Sequence, residues 1–93
     1  MFKLTHPETR LLFRIAVDRR NRAEGSNDAV DRDEAMAARS IEASLLSDHS
    51  VEEIYLGEAD LWLSEVEVRS NNYDAVQTAA VLRGKIAARR KVH

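Results

Sequence analysis

Along most of the chain an apolar residue returns every third or fourth position, the period of a helix with one buried side. The pattern lapses at three places, "EGSND" at 24–28, "SDHS" at 47–50 and "SNN" at 70–72. Each is rich in residues that end one helix or cap the next. Four helices are therefore predicted, over about 6–24, 28–47, 51–69 and 73–90. Strand-like alternation is absent apart from "MFKLT" at 1–5, which reads as a short extended arm. Residues 90–93, "RKVH", read as a frayed tail. The expected fold is all-α in a single domain, 1–93. It is a compact four-helix antiparallel bundle, or three long helices and one short, or a pair of αα-hairpins.

The boundaries carry their own chemistry. Thr5 and Glu8 have the spacing of a capping box, with Pro7 tolerated in the first turn. Ser50 and Glu53 repeat that spacing, which predicts a helix start at about 51 and leaves almost no loop after Asp48 and His49. The core stripes follow from helical spacing. They are Leu11, Leu12, Ile15 and Ala16 in the first helix, and Val30, Ala37, Ala38, Ile41 and Leu45 in the second. In the fourth they are Ala75, Val76, Ala79, Leu82 and Ile86.

The third helix holds more apolar residues than one buried side requires. Val51, Tyr55, Ala59, Trp62 and Val66 form a stripe that Leu56 and Leu63 widen to an ordinary core face, with Trp62 and Tyr55 expected inside. Ile54, Leu61 and Val68 lie on a separate line with a period of seven. Glu58 and Glu65 run along one side of it, and Glu53, Asp60, Ser64 and Glu67 along the other. Two apolar lines mean two contacts. Either this helix packs centrally within its own bundle, the first expectation for so short a chain, or the second line is a seam for another chain. In the latter case the carboxylates would form a rim that selects a basic partner. Phe13 and Val17 repeat the excess more mildly in the first helix, where deep wrapping is expected and an exposed patch around Phe13 is the alternative.

Composition and charge narrow the reading. One Pro, three Gly and thirteen Ala in 93 residues suit helices, and the absence of Cys removes disulfides and thiolate chemistry. Eleven Arg against three Lys point to a GC-rich coding genome, as in a bacterium or a phage within one. No apolar run approaches the roughly 18–20 residues of a membrane span, and the first residues lack a secretory h-region, so a cytoplasmic protein is expected. The net charge of −2 divides unevenly: residues 1–24 carry +3, 25–50 carry −4, 51–70 carry −5 and 71–93 carry +4. Basic outer and acidic inner segments predict helices that pair with one another.

Catalytic chemistry finds little to use. His6, His49 and His93 lack a partner at metal-ligand spacing, and no Glu-x-x-His motif, phosphate loop or activated nucleophile is recognisable. Glu58 and Glu65 stand about 10 Å apart along one face, a spacing better suited to solvation or pairing with Arg than to acid–base work. No catalytic, metal or cofactor site is assigned, and an enzyme is not expected. The basic residues Arg19, Arg20, Arg22, Arg83, Lys85, Arg89, Arg90 and Lys91 could meet phosphates, which makes a nucleic-acid-associated regulator the alternative. They scatter around their helices and lack aromatic platforms, which argues against it. The leading expectation is a small non-enzymatic helical protein that regulates by binding protein, either itself as a homodimer or a host protein. It would be an adaptor or inhibitor of bacterial or phage origin using Ile54, Leu61, Val68, Glu58, Glu65 and Phe13, with no membrane contact.

Overall fold

The computed structural model describes residues 1–91. The chain forms β1 (Phe2–Lys3), α1 (His6–Ala23), α2 (Ala29–Asp48), β2 (Ser50–Val51), a 3-10 turn (Glu53–Tyr55), α3 (Leu56–Arg69) and α4 (Tyr73–Lys91). Four helices packed against one another make it an all-α bundle, as the periodicity predicts. It is built from two hairpins, α1 with α2 and α3 with α4. Of the tail read at 90–93, Arg90 and Lys91 continue α4, while Val92 and His93 lie outside the described residues.

The first capping box forms as the residues dictate. The Thr5 backbone N–H donates to Glu8 Oε1 at 2.8 Å, and the Glu8 N–H donates to Thr5 Oγ1 at 3.4 Å. Asp28 caps α2, accepting from the Val30 N–H at 2.8 Å, and Asn72 Oδ1 accepts from the Ala75 N–H at the start of α4. Between α1 and α2 the chain turns through Gly25, whose φ of 90° suits a residue without a Cβ.

The second capping box does not form. His49 closes α2 in the left-handed conformation, φ 51°, and turns the chain out of the helix. Ser50 and Val51 then pair antiparallel with Lys3 and Phe2, and the Leu4 N–H donates to the His49 carbonyl at 2.9 Å. The backbone groups that a helix start would use are thereby committed to a sheet, and α3 begins at Leu56 instead of 51. Ser50 is fully buried, its hydroxyl near Asp48 Oδ2 instead of an N-terminal amide.

One core joins all the elements. Leu12 and Ala16 of α1 meet Ala38, Ile41 and Leu45 of α2, Val51 of β2, Leu56, Ala59, Trp62 and Leu63 of α3, and Ala79, Leu82 and Ile86 of α4. Phe2, Leu4, Leu11, Phe13, Ile15, Tyr55 and Val66 pack around it half-buried. The expected stripes supply the core, with two corrections. Ala75 and Val76, placed in the α4 stripe by spacing, are only half-buried and lie outside this cluster. Val30, placed in the α2 stripe by spacing, is 71 % exposed, because the first turn of α2 projects beyond the packed part of the bundle. The helix that touches every other helix is α1; α3 packs on α4 and lightly on α1, and it hardly meets α2.

Ion pairs follow the charge blocks. Arg20 binds Glu42 at 2.6 Å and Glu24 at 3.2 Å, and Arg39 reaches Glu24 at 3.0 Å. Arg83 of α4 bridges Asp60 at 3.0 Å and Glu67 at 2.7 Å on α3, and Arg89 pairs with Glu53. As the α4 number rises the α3 partner number falls, which is the register of antiparallel helices. Lys85 ties α4 to α1 through Glu8 at 2.8 Å. The Glu8 carboxyl is buried, and burial alone would raise its pKa. The Lys85 ammonium, the Thr5 N–H and the Thr5 side chain outweigh that and hold it below the usual glutamate range.

Candidate docking face

The reading of α3 as a central helix with both apolar lines internal is overturned. Its inner line is core, with Trp62 only 1 % exposed, but Ile54 is 77 %, Leu61 56 % and Val68 84 % exposed. The cause is topological. With α1 occupying the central place and α4 on its other flank, no helix among the described residues packs over Leu61 and Val68 on the outer side of α3, although the Arg90 side chain reaches Gly57.

Because α2 and α3 stay apart, a cleft of about 270 Å³ opens between them. Val30 of α2 and Leu61 of α3 form its apolar lips, and Arg19 and Trp62 line it from within. Asp33, Glu34 and Glu58 complete the wall. The Arg19 guanidinium lies 5.9 Å from the centre of the Trp62 ring and bonds Glu34 at 3.0 Å. It also pairs with Glu65, so one cation from α1 spans the gap between α2 and α3. The Asp33 and Glu58 carboxylates, both exposed, have no hydrogen-bond or ion-pair partner among the described residues.

Two other recesses differ in kind. The largest, about 420 Å³, lies at the α1–α2 turn around Met36, Arg32 and Arg39, where Arg39 is already paired with Glu24. A groove between α1 and α3 is lined by Asp18, Arg22 and Glu65, each engaged in an ion pair. Of these three, the α2–α3 cleft is the one that joins exposed apolar side chains to carboxylates left unanswered among the described residues, so volume is a poor guide here.

The other residues singled out from the sequence separate clearly. Phe13 is half-buried against the core and lies apart from the exposed line. Glu65 is occupied by Arg19, while Glu58 stands free beside Leu61. Six of the eight basic candidates sit in ion pairs: Arg19, Arg20, Arg22, Arg83, Lys85 and Arg89. Arg90 folds back over Gly57, and Lys91 is exposed at the end of α4. Sequence reasoning missed Val30, Asp33 and Glu34 as members of this face. The signal available was the position of Val30 in the first turn of α2, two residues beyond its Asp28 cap, where a stripe can overshoot the core.

Among the described residues, no group of three or more His, Asp or Glu could hold a metal ion, and no helix is long and apolar enough to cross a membrane. No protein-family model, curated protein or solved structure matches this chain.

Proposed function

We propose that this is a non-enzymatic protein-binding module whose working surface is the outer side of α3 and the adjoining α2–α3 cleft. The observation that carries the reading is the exposure of Ile54, Leu61 and Val68 on one line, beside a core already complete without them. Contiguous exposed apolar surface rimmed by polar groups is typical of a protein contact. The module acts as an adaptor or inhibitor of another protein, as a regulatory accessory factor of a bacterium or phage would, alone or as a homodimer. A cytoplasmic setting fits the cysteine-free composition. Six of the eight basic candidates neutralise carboxylates of the same chain, which argues against a phosphate-binding role for them.

The test is a pair of baits in a bacterial lysate, the wild-type chain and Leu61→Glu, with circular dichroism on both. Retention of a protein by the wild type and its loss from an equally helical variant supports the proposal. An identical retained set, together with an unchanged solution mass, overturns it.

A further inference from the structure

We infer that the occupant of this face is a basic amphipathic helix of a different protein, and not a second copy of this chain. The inference rests on the reading of the face as protein-binding and names what binds there. Its first support is the pattern on α3 itself. Gly57, Leu61, Ser64 and Val68 of α3, preceded by Ile54 in the 3-10 turn that leads into it, follow one another at spacings of 3, 4, 3 and 4, the spacing of a helix-to-helix seam. Gly57 and Leu61 are exposed and Ser64 is half-buried, its hydroxyl donating to the Leu61 carbonyl at 2.6 Å and so leaving no free donor on the seam. Ser64 is small enough to let another helix approach between Leu61 and Val68, whereas at Gly57 the Arg90 guanidinium, 3.9 Å from where a Cβ would stand, has to swing aside first. From Gly57 to Val68 the helical part of the seam runs about 17 Å at about 1.5 Å per residue, room for roughly three turns of a partner.

The second support is charge. The five positions that flank such a seam are Glu53, Glu58, Asp60, Glu65 and Glu67, all acidic. Two copies brought together seam to seam would set these rows against each other, but four of the five carboxylates are paired with cations of their own chain, so the like-charge opposition falls mainly on Glu58. A partner with Lys or Arg at its own flanking positions meets the opposite sign. Within the chain Arg83 already answers Asp60 and Glu67, Arg89 pairs with Glu53, and Arg19 answers Glu65. Of the five that leaves Glu58 without a partner among the described residues, and Asp33, which lines the same cleft from α2, is likewise unpaired. They stand on the α2 side of the seam, beside the apolar lips Val30 and Leu61. A partner helix laid along α3 over the cleft would set apolar residues on Leu61 and Val30 and a cation between Asp33 and Glu58. This is helix-in-groove recognition with its charge selection concentrated on one side.

A displayed library of 20-residue amphipathic helices tests this, with Leu or Ile fixed at heptad a and d and the e and g positions randomised among Lys, Glu and Gln. The expected result is at least tenfold enrichment of Lys over Glu on the wild-type chain. Enrichment should fall to near parity on Asp33→Asn/Glu58→Gln, and retention should be lost on Leu61→Glu. Equal retention of Glu- and Lys-bearing helices, or a Lys preference that survives Asp33→Asn/Glu58→Gln, overturns the inference while Leu61 dependence would leave the protein-binding face standing. So does a chain that retains no helix but sediments as a dimer that Leu61→Glu dissociates, because a second copy then fills the seam. Retention indifferent to Leu61→Glu, with an unchanged mass, overturns both readings together.

Discussion

The two flanks of α3 receive similar residues and do opposite things with them. On the α4 side, carboxylates at 53, 60 and 67 meet Arg89 and Arg83, and the helices close over Ala79, Leu82 and Ile86. On the α2 side, Glu58 and Asp33 meet no cation, and Val30 and Leu61 stay in solvent with a cleft between them. Burial of polar and charged groups in a closed seam is tolerated because each has a partner. On the open side Arg19 answers Glu34 and Glu65, while Glu58 and Asp33 stay unmatched among the described residues. The lesson is that apolar residues at helical spacing join the core only where another element of the chain comes over them.

The largest effect that would break this contrast is expected at Trp62, beneath both flanks. Trp62→Ala removes the largest fully buried side chain and should cost about 3–5 kcal/mol, enough to unfold a domain of this size, as read by denaturant titration. A cooperative, folded Trp62→Ala chain would show that the inner line is not the core.

Glu8 provides a second lock, between α1 and α4, and Glu8→Gln should cost about 2 kcal/mol by removing charge-assisted bonds to Lys85 and part of the cap. Its pH signature has a definite sign. A carboxyl whose pKa is lowered on folding stabilises the protein above the ordinary glutamate range, and that contribution disappears as pH falls through the lowered folded value. Thermal midpoints measured from neutral pH into acid should therefore fall less steeply for Glu8→Gln than for the wild type. Parallel curves would remove Glu8 from the account. Glu24, held low first by Arg39 and then by Arg20, and Asp48, held low by Lys3, have the same sign but sit in solvent, where screening leaves them little weight.

A smaller change sharpens the comparison directly. Arg83→Met strips the α4 side of the cation that joins Asp60 and Glu67 and makes it resemble the open side. The half-exposed geometry limits the expected loss to about 1 kcal/mol, or several degrees in thermal midpoint. A loss several times larger would mean that the ion pairs, and not the apolar contacts, close this seam.

Much of this was legible in the residues. The helix count, the Thr5–Glu8 box and the inner line of α3 follow from periodicity and capping, both local properties that no distant contact opposed. The Ser50–Glu53 box failed because a distant strand claimed the same backbone: Phe2 and Lys3 pair with Val51 and Ser50. Nothing within a few residues of Ser50 encodes that competition. Val30 failed for a related reason, since spacing gives the direction of a side chain but not how far along the helix the neighbour extends. The two lines of α3 were visible as a pattern. Which of them would be covered depended on α1 taking the central place, a matter of tertiary arrangement.

The central claim, that α3 carries an apolar line the fold does not use, is tested most directly at Leu61, the neighbour of Trp62 about 100° around the helix. Thermal unfolding of Leu61→Glu followed by circular dichroism should give a cooperative transition, undiminished helicity and a stability within about 0.5 kcal/mol of the wild type. A molten chain, or a loss approaching that of Trp62→Ala, would show that Leu61 is buried in the working fold and would contradict the account.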